Sequence, residues 1–304
     1  MNLKQMRYLL TIAEERNFTA AARKLYVSQP SLSACVKTIE EDLGAPIFNR
    51  STSPLELTPA GELYIRWVRA VLNSEYEMKK KVIDVSPEKH SEIRIGASFE
   101  RIRNTIYPIL SEFSRERPHC EINLFENYSS NILEMLKEEA LDIAILSAPE
   151  DNLNYTSIPI CEEVPLLAVP SVWVDAMDDP PENLSTVSLN RFSHLPFVVL
   201  SSEQTFGIYF RKCCEMAGFI PDIRAQCRML HTLHDMVRIN VGAGLVTSAF
   251  IQINRDDRNV RYFYLNNLPT SRTIYAIHRN GQYLSKDARL LVRLLKDQTQ
   301  KISV

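Results

Sequence analysis

The sequence predicts an N-terminal all-α head, one long connecting helix and a C-terminal α/β module folded as two lobes. Three observations carry that prediction. The stretch from Phe18 to Ser33 reads as two short helices joined by a tight turn. Leu63, Trp67, Val71, Ser74, Met78 and Val82 recur at spacings of three and four, the pattern of one amphipathic helix. From Ser91 onward short apolar runs alternate with helical spacings, which predicts a mostly parallel open sheet covered by helices.

The head begins with a stripe of Leu3, Met6, Leu9 or Leu10 and Ala13, a first helix. Thr19 is a good N-cap, and the alanines after it favour a helix that ends near Tyr26. Ser28 then caps a second helix with Pro30 in its first turn, where the missing N–H costs little. Leu32, Cys35 or Val36, Ile39 and Leu43 give that helix its apolar face, and Gly44 ends it. This is a helix-turn-helix. In such a unit the second helix lies in the DNA major groove with its N-terminal residues toward the bases. Here those residues are Ser28, Gln29, Ser31 and Ser33, short polar side chains suited to base edges and phosphates, with Pro30 among them and Thr19 and Lys37 beside them. Ile47-Phe48 and Leu55 to Leu57 flank a polar loop and read as a small hairpin, a wing whose one cation is Arg50.

The bulk numbers fit. A length of 304 residues predicts two domains, and 45% hydrophobic with 24% charged residues is ordinary for a packed protein. The net charge of −2 announces no nucleic acid, but residues 1–39 hold six Lys/Arg against two acids, a local basic face. No apolar run approaches the ~18 residues of a membrane span. Lys4, Gln5 and Arg7 break up any signal peptide, so no membrane is expected and the cytoplasm is the expected compartment. The six cysteines (35, 120, 161, 213, 214 and 227) show no zinc spacing and no secreted framework. No metal or cofactor is expected. Gly242-Ala243-Gly244 lacks the second spaced glycine and following helix of a dinucleotide loop.

Thr58 and Pro59 start the connecting helix, with Glu62 in its first turn, and it runs to about Val85. Beyond it, Ile93 to Ala97 is a strand and Arg101 to Glu116 a helix with Ile102, Ile106, Ile109 and Phe113 inward. Glu121 to Glu126 is a strand, Ile132 to Lys137 helical, and Leu141 to Leu146 an apolar strand. A second unit opens with Leu166 to Val169 and Pro196 to Leu200. It continues through helices at Ile208 to Ala217 and Thr232 to Asn240, then Gly242 to Thr247. Strands at Arg261 to Tyr264 and Thr273 to Ile277 and a closing helix from Ser285 to Asp297 return the chain. The last strand and helix complete the first lobe, so the chain crosses twice between lobes.

Ala21-Ala22, Leu25, Ser28-Gln29-Pro30, Leu32-Ser33, Ile39-Glu40 and Leu43-Gly44 resemble the LysR-type transcriptional regulator signature. Ile47 to Arg50 and Leu57 to Gly61 extend the resemblance, which continues more weakly through the rest of the chain. It implies a winged helix-turn-helix over 1–58 and a linker helix over 59–88 that pairs with its copy. It also implies an effector domain over 91–304, similar to periplasmic solute-binding proteins. Lobe I would hold about 91–162 and 268–304, and lobe II about 163–267. The implied partners are double-stranded DNA with a partly dyad operator, a second copy of the chain in a homodimer or homotetramer, and a small effector. The wing, poorer in Arg and Lys than in many relatives, leaves Arg50 as its backbone contact.

In open α/β sheets ligands bind beyond the carboxyl ends of the strands. Those ends carry Ser98, Ser129 and Ser130, and Ser147 in the first lobe, and Ser201, Ser202, Thr247 and Ser248 in the second. Hydroxyls beside helix N-termini suit an anionic metabolite. Phe99 is a candidate wall; Phe206 is a wall or core. Glu100 is unusual for an anion pocket: it faces Arg101 or Arg103, or it selects an amine. Two alternatives compete with a ligand-responsive DNA-binding protein. A thiol sensor would use Cys213, Cys214 or Cys227, and a solute-binding protein or enzyme would use the two lobes alone. Cys227, His231, His234 and Asp235 hint weakly at a metal site.

Overall fold

The computed structural model describes residues 1–86, 90–147, 154–202, 204–253, 257–266 and 271–302. It divides into two compact units, Met1–Lys89 with Lys137–Ala140, and His90–Leu136 with Leu141–Val304. The expected linker end at 88 and the expected lobe boundary at 267–268 fall outside the described residues.

In the first unit, α1 (Leu3–Glu15) starts on a capping box between Asn2 and Gln5. It buries Met6, Leu9 and Ile12, whereas Leu3 stays exposed. Helix α2 (Phe18–Lys24) is capped by Asn17, not Thr19: the Asn17 carbonyl accepts from the N–H groups of Thr19 (2.8 Å) and Ala20 (3.0 Å). Asparagine ranks at least with threonine at this position, and a cap at Asn17 starts the helix two residues earlier than one at Thr19 would. The helix also stops at Lys24 rather than Tyr26, because Tyr26 takes a left-handed conformation at φ 56°. Ser28 caps α3 (Gln29–Leu43) as expected, with Leu32, Val36 and Ile39 inward and Gly44 at φ 73° closing it; Leu43 is exposed. Strands β1 (Phe48–Asn49) and β2 (Glu56–Leu57) pair antiparallel as the wing.

Thr58 then caps α4 (Pro59–Val85), its hydroxyl accepting from Gly61 N–H at 2.9 Å and donating to Pro46 carbonyl at 2.6 Å. A Cβ at Gly61 would overlap the Ile47 carbonyl, so only glycine lets α4 lie this close to the wing. Ile65 and Val68 join α1, α2 and α3 in one core. The other stripe of α4 faces outward: Leu63, Trp67, Met78 and Val82 are 65, 48, 59 and 44% exposed.

The second unit holds two sheets. The first contains β3 (Ser91–Ala97), β4 (Cys120–Glu126), β5 (Ile143–Ser147), β6 (Tyr155–Glu163) and, late in the chain, β13 (Arg272–Arg279), ordered β4-β3-β5-β13-β6. Its parallel run is broken by one reversed strand, β13. Strands β3, β4 and β5 run parallel, but β13 pairs antiparallel with both β5 and β6. The strand that leaves the lobe and the strand that returns to it must oppose each other. The sequence missed β6 because Pro159 interrupts it; the ladder slips there, and β6 lies at the sheet edge, where a missing N–H is tolerated.

After β3 the chain enters a helix that starts at Phe99 rather than Arg101. Its first part, α5 (Phe99–Arg101), passes through one π turn (Ile102–Ile106) into α6 (Tyr107–Glu116). Pro108 cannot bond back to the preceding turn, and the wider turn accommodates it. Ile102, Ile106, Ile109 and Phe113 are buried as expected. Helix α7 (Ser129–Lys137) follows β4.

The second sheet contains β7 (Pro165–Pro170), β8 (Thr186–Val187), β11 (Gly244–Thr247) and β12 (Val260–Leu265), ordered β11-β7-β12-β8. Strands β9 (Pro196–Leu200) and β10 (Asp222–Cys227) pair parallel and join it through Ala243, which exchanges backbone bonds of 2.8 Å with Pro196 and Val198. Helix α8 (Ser171–Asp175) follows β7, and α9 (Thr205–Met216) and α10 (Leu230–Arg238) pack on the sheet. The short α11 (Ser248–Ile253) follows β11. Helix α12 (Lys286–Ile302) returns to the first lobe, where Leu291 and Leu295 pack with Ile93, Ile95 and Ile274. The chain therefore crosses between the lobes twice, after β6 and before β13.

Candidate DNA-reading helix and effector cleft

The start of α3 presents a compact polar surface. Ser28, Gln29, Pro30, Ser31 and Lys37 are exposed and Ser33 half-buried. Ser28 and Ser31 hydroxyls bond at 2.7 Å, and Gln29 Nε2 donates to Ser33 Oγ at 3.0 Å. These weak mutual bonds order the side chains while leaving lone pairs and amide protons for a partner. Thr19 is exposed at the start of α2. Lys37 meets Glu41, one turn on, at 3.7 Å and is 71% exposed. Tyr26, 95% exposed on the turn between the helices, is a surface group the sequence did not single out. Its signal was a large aromatic inside a turn.

Glu40 ties this helix to the wing. Its Oε1 accepts from the N–H groups of Ile47 (2.8 Å) and Phe48 (3.1 Å), and its Oε2 from Arg50 at 3.0 Å. Arg50 also lies 5.5 Å from the centre of the Phe18 ring. The wing's cation is therefore held by α3, half-exposed, rather than free at a loop tip.

In the second unit a cavity of 420 Å³ opens between the two sheets. Ser98, Phe99, Glu100, Ser129, Ser147 and Thr247 line it, with Ser130 beside Ser129. Ser98 caps the helix after β3 through Arg101 N–H at 3.4 Å, and Ser129 opens α7. Ser201 and Ser202 do not line it. Strand β9 ends at Leu200; Ser201 turns into the core, Ser202 faces solvent, and Gln204 and Phe206 reach the cavity instead. Phe206 is both wall and core, 8% exposed.

The Glu100 charge acts on Arg101, but its hydrogen bonds go elsewhere. Its Oε1 crosses the cleft to accept from Leu230 N–H at 2.8 Å and from His231 Nδ1 at 2.9 Å. Phe99 stacks on the same histidine ring at 5.5 Å. The cavity floor is an ion cluster no local pattern announced. Glu163, at the end of β6, takes both Arg101 nitrogens at 3.1 Å and Arg272 Nε at 2.8 Å. Burial alone would raise the Glu163 carboxyl, but the two guanidinium groups hold it down at about 2. Arg272 opens β13 directly opposite Glu163, so the cluster joins the two crossings. Arg272 also lies 4.7 Å over the Phe206 ring.

The histidines singled out in the sequence are engaged. His231 is held by Glu100, and His234 Nε2 meets Tyr262 hydroxyl at 2.7 Å. Among the described residues no cluster is placed to hold a metal. Cys213 and Cys214 are buried in α9, and burial pushes their thiols up, Cys214 to about 12; burial raises Cys227 too. A reactive cysteine needs the opposite shift.

Residues 3–62 match the bacterial regulatory helix-turn-helix protein, lysR family, and residues 87–300 match the LysR substrate binding domain. The chain belongs to the LysR family. It is a LysR-type transcriptional regulator with a DNA-binding head and an effector-binding domain. It is 26% identical over 310 residues to the uncharacterized HTH-type transcriptional regulator YcgK of Bacillus subtilis (strain 168), covering 98% of this chain and 94% of the relative. The fold is that of a full-length OxyR variant from Pseudomonas aeruginosa, with TM-score 0.72, 21% identity, and 99% and 95% of the two chains covered. It is also that of full-length CbnR complexed with its target DNA, with TM-score 0.67, 17% identity, and 98% and 100% covered. No helix among the described residues of this LysR regulator is long and apolar enough to cross a membrane.

Proposed function

We propose that Ser28, Gln29, Ser31 and Ser33 enter the major groove of a partly dyad operator, while Thr19, Lys37 and Arg50 hold the phosphate backbone. The exposed polar start of α3 carries this reading. Phosphate contacts fix register and base-edge contacts fix sequence. CbnR, whose structure was solved with its target DNA, shares the fold that supports this assignment. The outward apolar stripe of α4 pairs with its copy in a homodimer or homotetramer, so two heads reach successive grooves. The protein works in the cytoplasm and performs no catalysis.

The effector occupies the cavity between the lobes and changes how the heads bend DNA. Ser98, Ser129, Ser130 and Ser147 offer hydroxyl donors, and α7 starts beside them. Two guanidinium groups against the single Glu163 carboxylate leave one net positive charge at the cavity floor. Together these features favour an anionic group on the ligand. The raised thiols of Cys213, Cys214 and Cys227 favour this reading over thiol sensing. The test is a gel shift at low ionic strength on the region upstream of the protein's own gene. Retardation that changes with a small metabolite supports the proposal; no retardation under any condition ends it.

A further inference from the structure

Resting on the effector reading above, we infer that the ligand carries an ammonium group as well as its anionic group. It is a small zwitterion of the α-amino-acid class, with its ammonium at Glu100, Gln204 and Asn104.

Three buried oxygens on these residues have no hydrogen-bond partner: Glu100 Oε2, Asn104 Oδ1 and Gln204 Oε1. All three residues line the same cavity, from both lobes. A buried acceptor without a donor is costly, more so when charged, so unmet oxygens lining one cavity mark where a donor belongs. For Gln204 and Glu100 the neighbours show which oxygen is unmet. Gln204 Nε2 donates to Arg228 carbonyl at 2.8 Å, which leaves its oxygen toward the unmet position. Glu100 Oε1 is used by Leu230 and His231, which leaves Oε2 as the free half of the carboxylate. A carboxylate accepts only, and an ammonium supplies three donors for three acceptors.

The same lining also holds groups for an anion. The net positive charge of Arg101, Glu163 and Arg272 and the hydroxyls of Ser98 and Ser129 serve the carboxylate. The Phe99 and Phe206 rings leave an apolar wall for a side chain.

The experiment is a thermal-shift and calorimetric series on the full-length protein. The twenty standard L-amino acids are each compared with the deaminated acid and the decarboxylated amine of the same skeleton. At least one amino acid, at a hundredfold excess over its Kd, should raise Tm by about 5 °C or more. Both of its halves should bind at least about tenfold more weakly. Glu100→Gln and, separately, Gln204→Leu should weaken that amino acid about tenfold or more while leaving its deaminated acid within about twofold. A deaminated acid that binds as well as its amino acid overturns the inference, and so does a decarboxylated amine that does, or a series with no amino-acid hit. In those cases an intact gel shift shows that the regulator reading survives. Loss of the gel shift with the amino-acid response intact fails the DNA reading alone.

Discussion

The two surfaces proposed to meet other molecules are built in opposite ways. The surface of α3 is assembled from six consecutive positions, stands in solvent, and satisfies its own polar groups weakly with one another. The cleft is assembled from residues as far apart as Ser98 and Arg272, is half-enclosed, and leaves acceptors unmet while its floor is locked by ions. The first surface suits a large partner that brings its own order and replaces water. The second suits a small partner that must complete a network before the network is stable.

The largest expected effect breaks the cleft side of that comparison. Glu163→Gln leaves two guanidinium groups without their shared carboxylate and should cost about 3–5 kcal/mol of unfolding free energy, measured by urea denaturation. The wild type carries the same signature in acid. The folded carboxyl sits at about 2 against an ordinary 4.5, so its contribution is present above pH 4.5 and lost as pH falls toward 2. A urea midpoint in Glu163→Gln equal to wild type at pH 7 would show that the cluster is not what holds the crossings.

On the α3 side the expected changes are smaller and fall on recognition. Gln29→Ala should weaken the operator complex by about 1–3 kcal/mol and leave competitor DNA nearly untouched, read from paired titrations. An equal loss on both duplexes would move Gln29 to the phosphates. Ser28→Ala removes the cap of α3 and should lower stability by about 1 kcal/mol in thermal melts. Arg50→Ala should be the mildest. It is already paired with Glu40, so the slope of log affinity against log salt should fall by about one and specificity should not change.

How much was legible follows the same division. The turn, the Ser28 cap, the Gly44 stop and the wing all lie within forty residues, and local rules read them. The exceptions, the Asn17 cap and the early end at Lys24, are choices between neighbours of similar propensity. In the α/β unit the apolar central strands were plain, while β6 and β10 were not. Both are edge strands, and half-exposed edges carry polar residues and proline without penalty. The strand-end rule placed Ser98, Ser129, Ser147 and Thr247 at the cavity and failed for Ser201 and Ser202, where the chain needs four more residues to come round. Glu163 and Arg272 had no local signal at all. They sit opposite each other only because a strand from the far end of the chain pairs with β6.

That pairing has a mechanical result. One carboxylate grips both strands where they pass from lobe to lobe, so parting the two crossings would mean breaking a buried ion pair as well as a ladder of backbone bonds.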